Sequence, residues 1–235
     1  CNGQYIIPPG YNGKSIHVKS YTKWMMNFDP DFYFNKEILI ISSLSEKIPS
    51  ASRMPSITFF PEGGDLIAGL TSKIAFKVND QWGRPIMVEG QIVDMENKPI
   101  ATFKTMHDGM GFFFLSPKSN TSYSARWKDQ TGLEHTSDLP DVKEAGIALQ
   151  ITLKDNERVM QVSFSENTVK EIGHVHIIGT MFQKTVFKLY DSIDGASIKK
   201  IIPIDSLPQG ILTITVFDQQ WKPLAERITF VKNKN

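Results

Sequence analysis

Three times along this chain of 235 residues an aspartate is followed, five positions later, by a proline and then by Ile or Leu. The copies read Asp80-Gln-Trp-Gly-Arg-Pro85-Ile, Asp94-Met-Glu-Asn-Lys-Pro99-Ile and Asp218-Gln-Gln-Trp-Lys-Pro223-Leu. Each stands between two apolar, β-branched runs. An aspartate so placed bonds backbone amides just ahead of it and opens a turn. Proline then restarts the chain as an extended segment with no amide to donate. The string is a strand-to-strand connector, and its recurrence commits the chain to short strands joined by tight turns. Asp80 and Asp94 are only 14 positions apart, so the string counts hairpins, not domains.

The runs between the connectors agree. In Ile147-Ala-Leu149-Gln-Ile151-Thr-Leu153-Lys every second residue is apolar, so one face of a strand is buried and the other wet. Ile74-Ala-Phe76-Lys-Val78-Asn and Leu212-Thr-Ile214-Thr-Val216 repeat the pattern. Turn signals at Glu62-Gly-Gly-Asp65, Asp108-Gly109, Gln130-Thr-Gly132 and Pro208-Gln-Gly210 break the chain into strands of sandwich length. Helical signal is confined to Ser20–Phe28, where Thr22 is a candidate cap for one or two turns, and Asp205-Ser206-Leu207 reads as a turn.

Composition excludes several classes. With 26 basic and 25 acidic residues the net charge is +1, which gives no electrostatic footprint for nucleic acid or an anionic membrane. No apolar run approaches the roughly 18 residues of a spanning helix, so no direct membrane insertion is expected. The single cysteine, Cys1, rules out an internal disulfide and a thiolate metal cage. A cysteine at a mature N-terminus is also the residue a bacterial lipoprotein acylates, but the signal segment that licenses lipidation is not in view.

Two breaks divide the chain. Residues 42–56 are rich in Ser and Pro, and Asp138–Gly146 forms a second polar break. Residues 55–142 and 146–233 are each the size of a seven-stranded sandwich. Residues 1–45 are too few to bury a core alone and read as the C-terminal part of an incomplete domain.

Several strings carry a family resemblance. Tyr21-Thr-Lys-Trp24-Met-Met-Asn27-Phe28 with Phe34-Asn-Lys36-Glu37-Ile38 looks like the close of a macroglobulin-type domain. Phe59-Phe60-Pro61-Glu62-Gly63-Gly64-Asp65-Leu66 looks like the opening strand of the next. Gly109-Met-Gly111-Phe112 with Pro117 and Tyr123, and Leu207-Pro208-Gln-Gly210 with Pro223-Leu-Ala-Glu226-Arg227, are similar to later strands of such sandwiches. Together they resemble the exported macroglobulin-domain proteins of Bacteroidetes, some with a TonB-receptor plug-like domain. The resemblance implies immunoglobulin-like folds and a bacterial periplasmic, outer-membrane or cell-surface location. It does not extend to protease trapping, because no Gly-Cys-x-Glu-Gln thioester string is present.

Candidate chemistry is sparse. His174-Val-His176 lies on a predicted strand, where residues two apart share a face, and two imidazoles side by side can hold a metal. Neither a third ligand at useful spacing nor an acidic cluster flanks them, so half-exposed strand histidines are the better reading. Glu62 and Asp65 bracket a Gly-Gly turn; paired carboxylates catalyse glycoside hydrolysis only across a cleft, and turn chemistry is the simpler account. Asp29 and Asp31 lack the remaining ligand rhythm of a calcium loop. Asp218, Glu226 and Arg227 suggest turn or ion-pair bonds closing the last strand. No nucleophile elbow, zinc-protease helix, phosphate loop or dinucleotide glycine string occurs.

The aromatic residues are the remaining candidates. Trp24, Phe28, Phe32, Tyr33 and Phe34 crowd one stretch, expected to be buried at a core edge or domain junction. Trp82 and Trp221 lie inside connector strings, which makes these loops the expected partner surface, with Trp24 and Tyr33 as further members. The sequence therefore predicts an all-β chain of tandem immunoglobulin-like, macroglobulin-type antiparallel sandwiches. It is expected to be a non-catalytic structural and interaction segment of a larger cell-envelope protein, without cofactor. The expected partners are other envelope proteins or adjacent domains. A carbohydrate-binding module would need a row of exposed aromatics, and a hydrolase would need convergent carboxylates in a pocket.

Overall fold

A computed structural model describes residues 5–13, 15–27, 33–40, 53–154, 157–204 and 206–232. The chain divides into two compact units, residues 1–56 with 79–84, and residues 57–78 with 85–235.

In the first unit, β1 (Ser15–Ser20) pairs antiparallel with β2 (Phe34–Leu39), Ser15 opposite Leu39 and Ser20 opposite Phe34. The expected helix over Ser20–Phe28 is a single 3-10 turn, Trp24–Asn27, and the Thr22 hydroxyl accepts the Met25 amide at 3.2 Å as a cap should. Burial of the aromatic stretch does not hold at Phe34, which is 56% exposed. A two-stranded ribbon has little of its own to cover such a ring. Phe28, Phe32, Asp29, Asp31, Cys1 and most of the 42–56 linker lie outside the described residues.

The second unit holds two sandwiches of identical strand order. The first contains β3 (Ser56–Pro61), β4 (Leu66–Ile67), β5 (Ser72–Asn79), β6 (Glu89–Asp94), β7 (Pro99–Lys104), β8 (Met110–Leu115), β9 (Tyr123–Lys128), β10 (Glu134–Asp138) and β11 (Val142–Lys143). Sheet β3-β5-β8 faces sheet β10-β9-β6-β7. The second contains β12 (Ile147–Lys154), β13 (Glu157–Phe164), α1 (Glu166–Glu171), β14 (His174–Met181), β15 (Lys184–Ser192), β16 (Ser197–Ile201), β17 (Gly210–Phe217) and β18 (Pro223–Val231). Here β12-β13-β16 faces β15-β14-β17-β18. Three strands against four, connected in the same order both times, is an immunoglobulin-like arrangement. The fold is all-β, a tandem of antiparallel sandwiches.

Each sandwich has its own core, built from the inward residues that the alternation marked. Ile74, Phe76 and Val78 of β5 meet Ile92, Phe103, Phe113, Ala125 and Trp127. Leu149, Met160 and Val162 meet Val175, Ile177, Leu212, Ile214 and Val216. The Gly-Met-Gly string is explained by crowding: a Cβ at Gly109 would stand 2.4 Å from the Val78 carbonyl, and one at Gly111 would stand 2.5 Å from the Lys104 carbonyl. Tyr123 is buried, and its hydroxyl accepts the Lys118 amide at 2.9 Å, a corner that ties β9 to the loop before it.

The break at Asp138–Gly146 is pinned at both ends. Val142 and Lys143 form β11, which pairs parallel with Leu66 and Ile67. The Lys143 ammonium meets Asp65 at 2.6 Å, and Glu144 accepts from the Ser119 hydroxyl and the Asn120 amide. Two residues on, the Gly146 amide donates to the Thr168 hydroxyl at 2.7 Å, and the Ser165 amide donates to the Gly146 carbonyl. Ser165 also caps α1, accepting the Thr168 amide.

Candidate functional site

Four strand connections share one aspartate turn: three close the hairpins β6–β7, β9–β10 and β17–β18, and the one at Asp80 carries the chain from β5 to β6 in the facing sheet. At Asp80, Asp94, Asp129 and Asp218 the carboxylate Oδ1 accepts the amides two and four residues ahead, at 2.8–3.2 Å. In each, the aspartate amide also donates to the carbonyl four residues on, and its own carbonyl accepts the amide three residues on. The three sequence copies are confirmed as turns. The fourth, at Asp129, lacks the proline and so escaped the string. Asp129 receives further bonds from the Thr131 hydroxyl and His135 Nε2, which hold its carboxyl well below the usual carboxylate range.

The residue three places after each aspartate takes positive φ: Gly83, Asn97, Gly132 and Trp221. Glycine and asparagine enter this region readily, whereas a tryptophan there is strained by about 1–3 kcal/mol. Gly132 and Trp221 occupy the same hairpin of the two sandwiches, β9–β10 and β17–β18.

Trp221 stands over the outer face of sheet β15-β14-β17-β18. Register places Tyr190, His176 and Phe217 in one cross-strand row, with His174 two residues away on the same face. The Trp221 indole stacks on the His176 ring at 4.1 Å with planes 7° apart, and Phe217 lies 5.9 Å from it. His174 is 5.2 Å from His176 and 4.8 Å from Tyr190. Trp221 is 54% and Tyr190 60% exposed. The sequence named Trp221 and the histidine pair separately; the sheet brings them together.

The other expected surface residues are placed differently. Trp82 is half-buried, with the Arg84 guanidinium 4.3 Å over its ring. Tyr33 stacks on Tyr21 at 4.8 Å, with the Lys19 ammonium over it. These two belong to the first unit and Trp221 to the second, and the Trp24 side chain lies outside those described. Trp127 is buried beneath a stacked His135.

The carboxylates do not converge. Glu62 accepts from Arg227 Nε at 2.9 Å and weakly from the Ile151 amide at 3.4 Å, whereas Asp65 bonds Lys143. An open crevice of ≈ 390 Å³ beside Glu62 is lined by Phe112, Glu226 and Arg227, and Asp65 is not among its walls. Glu226 accepts from the Thr215 hydroxyl, and Asp218 is spent on its turn. Among the described residues no three His, Cys, Asp or Glu side chains are grouped to hold a metal, and no helix is long and apolar enough to cross a membrane.

No family model and no curated protein matches the chain. Among solved structures it is similar to the apo form of Bacteroides uniformis β-glucuronidase 3, at 14% identity over 78% of this chain, with a TM-score of 0.25. It spans about a quarter of that enzyme's length, since 25% of the enzyme is covered. It is also similar to a segment of two fibronectin type III domains from chicken tenascin, at 9% identity over 74% of this chain and 99% of that one, with a TM-score of 0.26. Likenesses this loose carry no functional argument.

Proposed function

We propose that this chain is a non-catalytic spacer and interaction segment of a larger, exported cell-envelope protein. It holds two sandwiches at a fixed angle and presents their loops to protein partners or adjacent domains. The observation that carries the reading is the junction within the second unit. Gln150 of β12 donates to the Thr71 carbonyl at 3.0 Å, and Arg227 of β18 meets Glu62. Gly63 sits so close to the Leu149 backbone that a Cβ would stand 3.0 Å from its nitrogen. With the connector pinned at Lys143 and at Gly146, the two cores are linked by more than a tether. A pinned junction suits a spacer, because it preserves the distance and angle between what is attached at either side. The macroglobulin-type resemblance supplies the envelope location.

The test is ¹⁵N relaxation on the whole chain, with the tagged parent protein fractionated from its bacterium. The two sandwiches are expected to tumble with one correlation time, and the parent to be recovered with the envelope. Independent tumbling would defeat the spacer role. Recovery from the cytosol would defeat the location. Turnover of glycosides or peptides by the purified chain would defeat the non-catalytic assignment.

A further inference from the structure

The indole of Trp221 stands where the matching hairpin of the other sandwich carries Gly132, and where the two remaining aspartate turns carry Gly83 and Asn97. The turn itself gains nothing from an indole, because its hydrogen bonds come from Asp218 and the main chain. A strained residue kept where three sister turns avoid strain marks a place held for use. What the indole adds is a flat, exposed surface. His176 lies parallel beneath it at 4.1 Å, backing one face and fixing its tilt. Tyr190, 60% exposed, stands 5.5 Å from His176 on the neighbouring strand.

We propose that this cluster is a carbohydrate-binding platform: the free face of Trp221 receives the apolar face of a neutral pyranose ring, His176 backs the opposite face, and His174 and Tyr190, beside His176, offer hydrogen bonds to the adjoining part of the glycan. Chemistry selects the occupant. The cluster is an indole, a phenyl ring, a phenol and two imidazoles, none bearing a fixed charge. Phosphate, sulfate and carboxylate ligands are gripped by guanidinium or ammonium groups, which the cluster does not contain. A pyranose is different: it offers a flat patch of C–H groups to a ring and a rim of hydroxyls that both donate and accept. Imidazole and phenol are side chains that do the same. This binding role is independent of the spacer function, since the platform lies within one sandwich.

The test is a titration of the ¹⁵N-labelled whole chain with cellohexaose, xylohexaose, mannohexaose and a β-1,4-linked galactose hexamer, each to about 10 mM. At least one is expected to shift resonances at His174, His176, Tyr190 and Trp221 and to saturate. Trp221→Asn, which suits the positive φ and keeps the turn, is expected to weaken that binding at least about tenfold, and Tyr190→Ala several-fold. A single cooperative thermal transition would show both variants folded. No saturable shift with any of the four sugars overturns the proposal. So does binding that survives both substitutions. Equimolar Zn²⁺ or Ni²⁺ moving the imidazole resonances while the sugars do not would overturn it in favour of a metal site.

Discussion

Replacing Glu62 tests whether the two sandwiches are mechanically one. Its carboxylate is 9% exposed and accepts Arg227 Nε at 2.9 Å; the Arg227 side chain is 37% exposed. A hydrogen bond between charged groups contributes roughly 1.5–3 kcal/mol when both are buried, and a guanidinium this wet places the pair toward the bottom of that range. In Glu62→Ala the freed Arg227 returns to water, while the Ile151 amide loses a 3.4 Å contact too long to matter much. The expected cost is about 1.5 kcal/mol. Glu62→Gln keeps an acceptor and is expected to lose about half as much. Arg227→Ala leaves a mostly buried carboxylate short of its partner and is expected to cost at least as much as Glu62→Ala. A double-mutant cycle in urea unfolding at low salt should return a coupling near 1 kcal/mol, and ¹⁵N relaxation should show the sandwiches beginning to tumble apart. A coupling indistinguishable from zero, with relaxation unchanged in the double variant, would refute the idea that this pair holds the junction.

Three further predictions concern the turns and one glycine. Asp218→Ala removes a buried acceptor from the Gln220 and Lys222 amides and is expected to cost about 2 kcal/mol by thermal unfolding, against about 1 for the half-buried Asp94→Ala, with Asn tolerated at both. The Asp129 carboxyl is depressed in the folded chain, so its stabilisation is present above the unfolded value and is lost as pH falls through the folded one. The stability gap between wild type and Asp129→Asn should therefore be full near about pH 5 and close steadily toward about pH 2; a gap independent of pH across that range would contradict the assignment. Gly111→Ala places a Cβ 2.5 Å from the Lys104 carbonyl and 2.6 Å from the Phe76 ring, and should cost more than about 2 kcal/mol in urea unfolding.

The strands were legible because a half-buried pleat writes its two faces as alternating letters. Ile147–Lys154 runs as one strand over the whole of its alternating stretch, and His174 and His176 do share a face. What was hidden had no pattern long enough to read. Glu166–Glu171 is a helix too short for a period, betrayed only by Ser165 before it. Val142–Lys143 is a strand of two residues whose partner lies 76 positions away, so nothing local announces it. The turn at Asp129 could have been found by asking for Asp followed three residues later by Gly or Asn, not for proline. That rule would still have passed over Trp221, whose left-handed backbone contradicts its own preference. Its stack on His176 depends on the β14–β17 register, which puts His176 opposite Phe217. Local sequence carries no record of which residues that register brings together.

The parallel pair β4–β11 also bears on how the chain is made. Val142 packs on the first sandwich's core and Lys143 reaches Asp65, so that sandwich acquires its last strand only after the strands that build its two sheets are complete. During synthesis it would close as residue 143 clears the exit tunnel, immediately before the first strand of the next sandwich begins at Ile147. Thr71 and Glu62 would then already be in position when Gln150 and Ile151 emerge. The finished sandwich becomes a template for its successor, and two neighbours of identical strand order are built one after the other, which lowers the chance that they exchange strands while both are open.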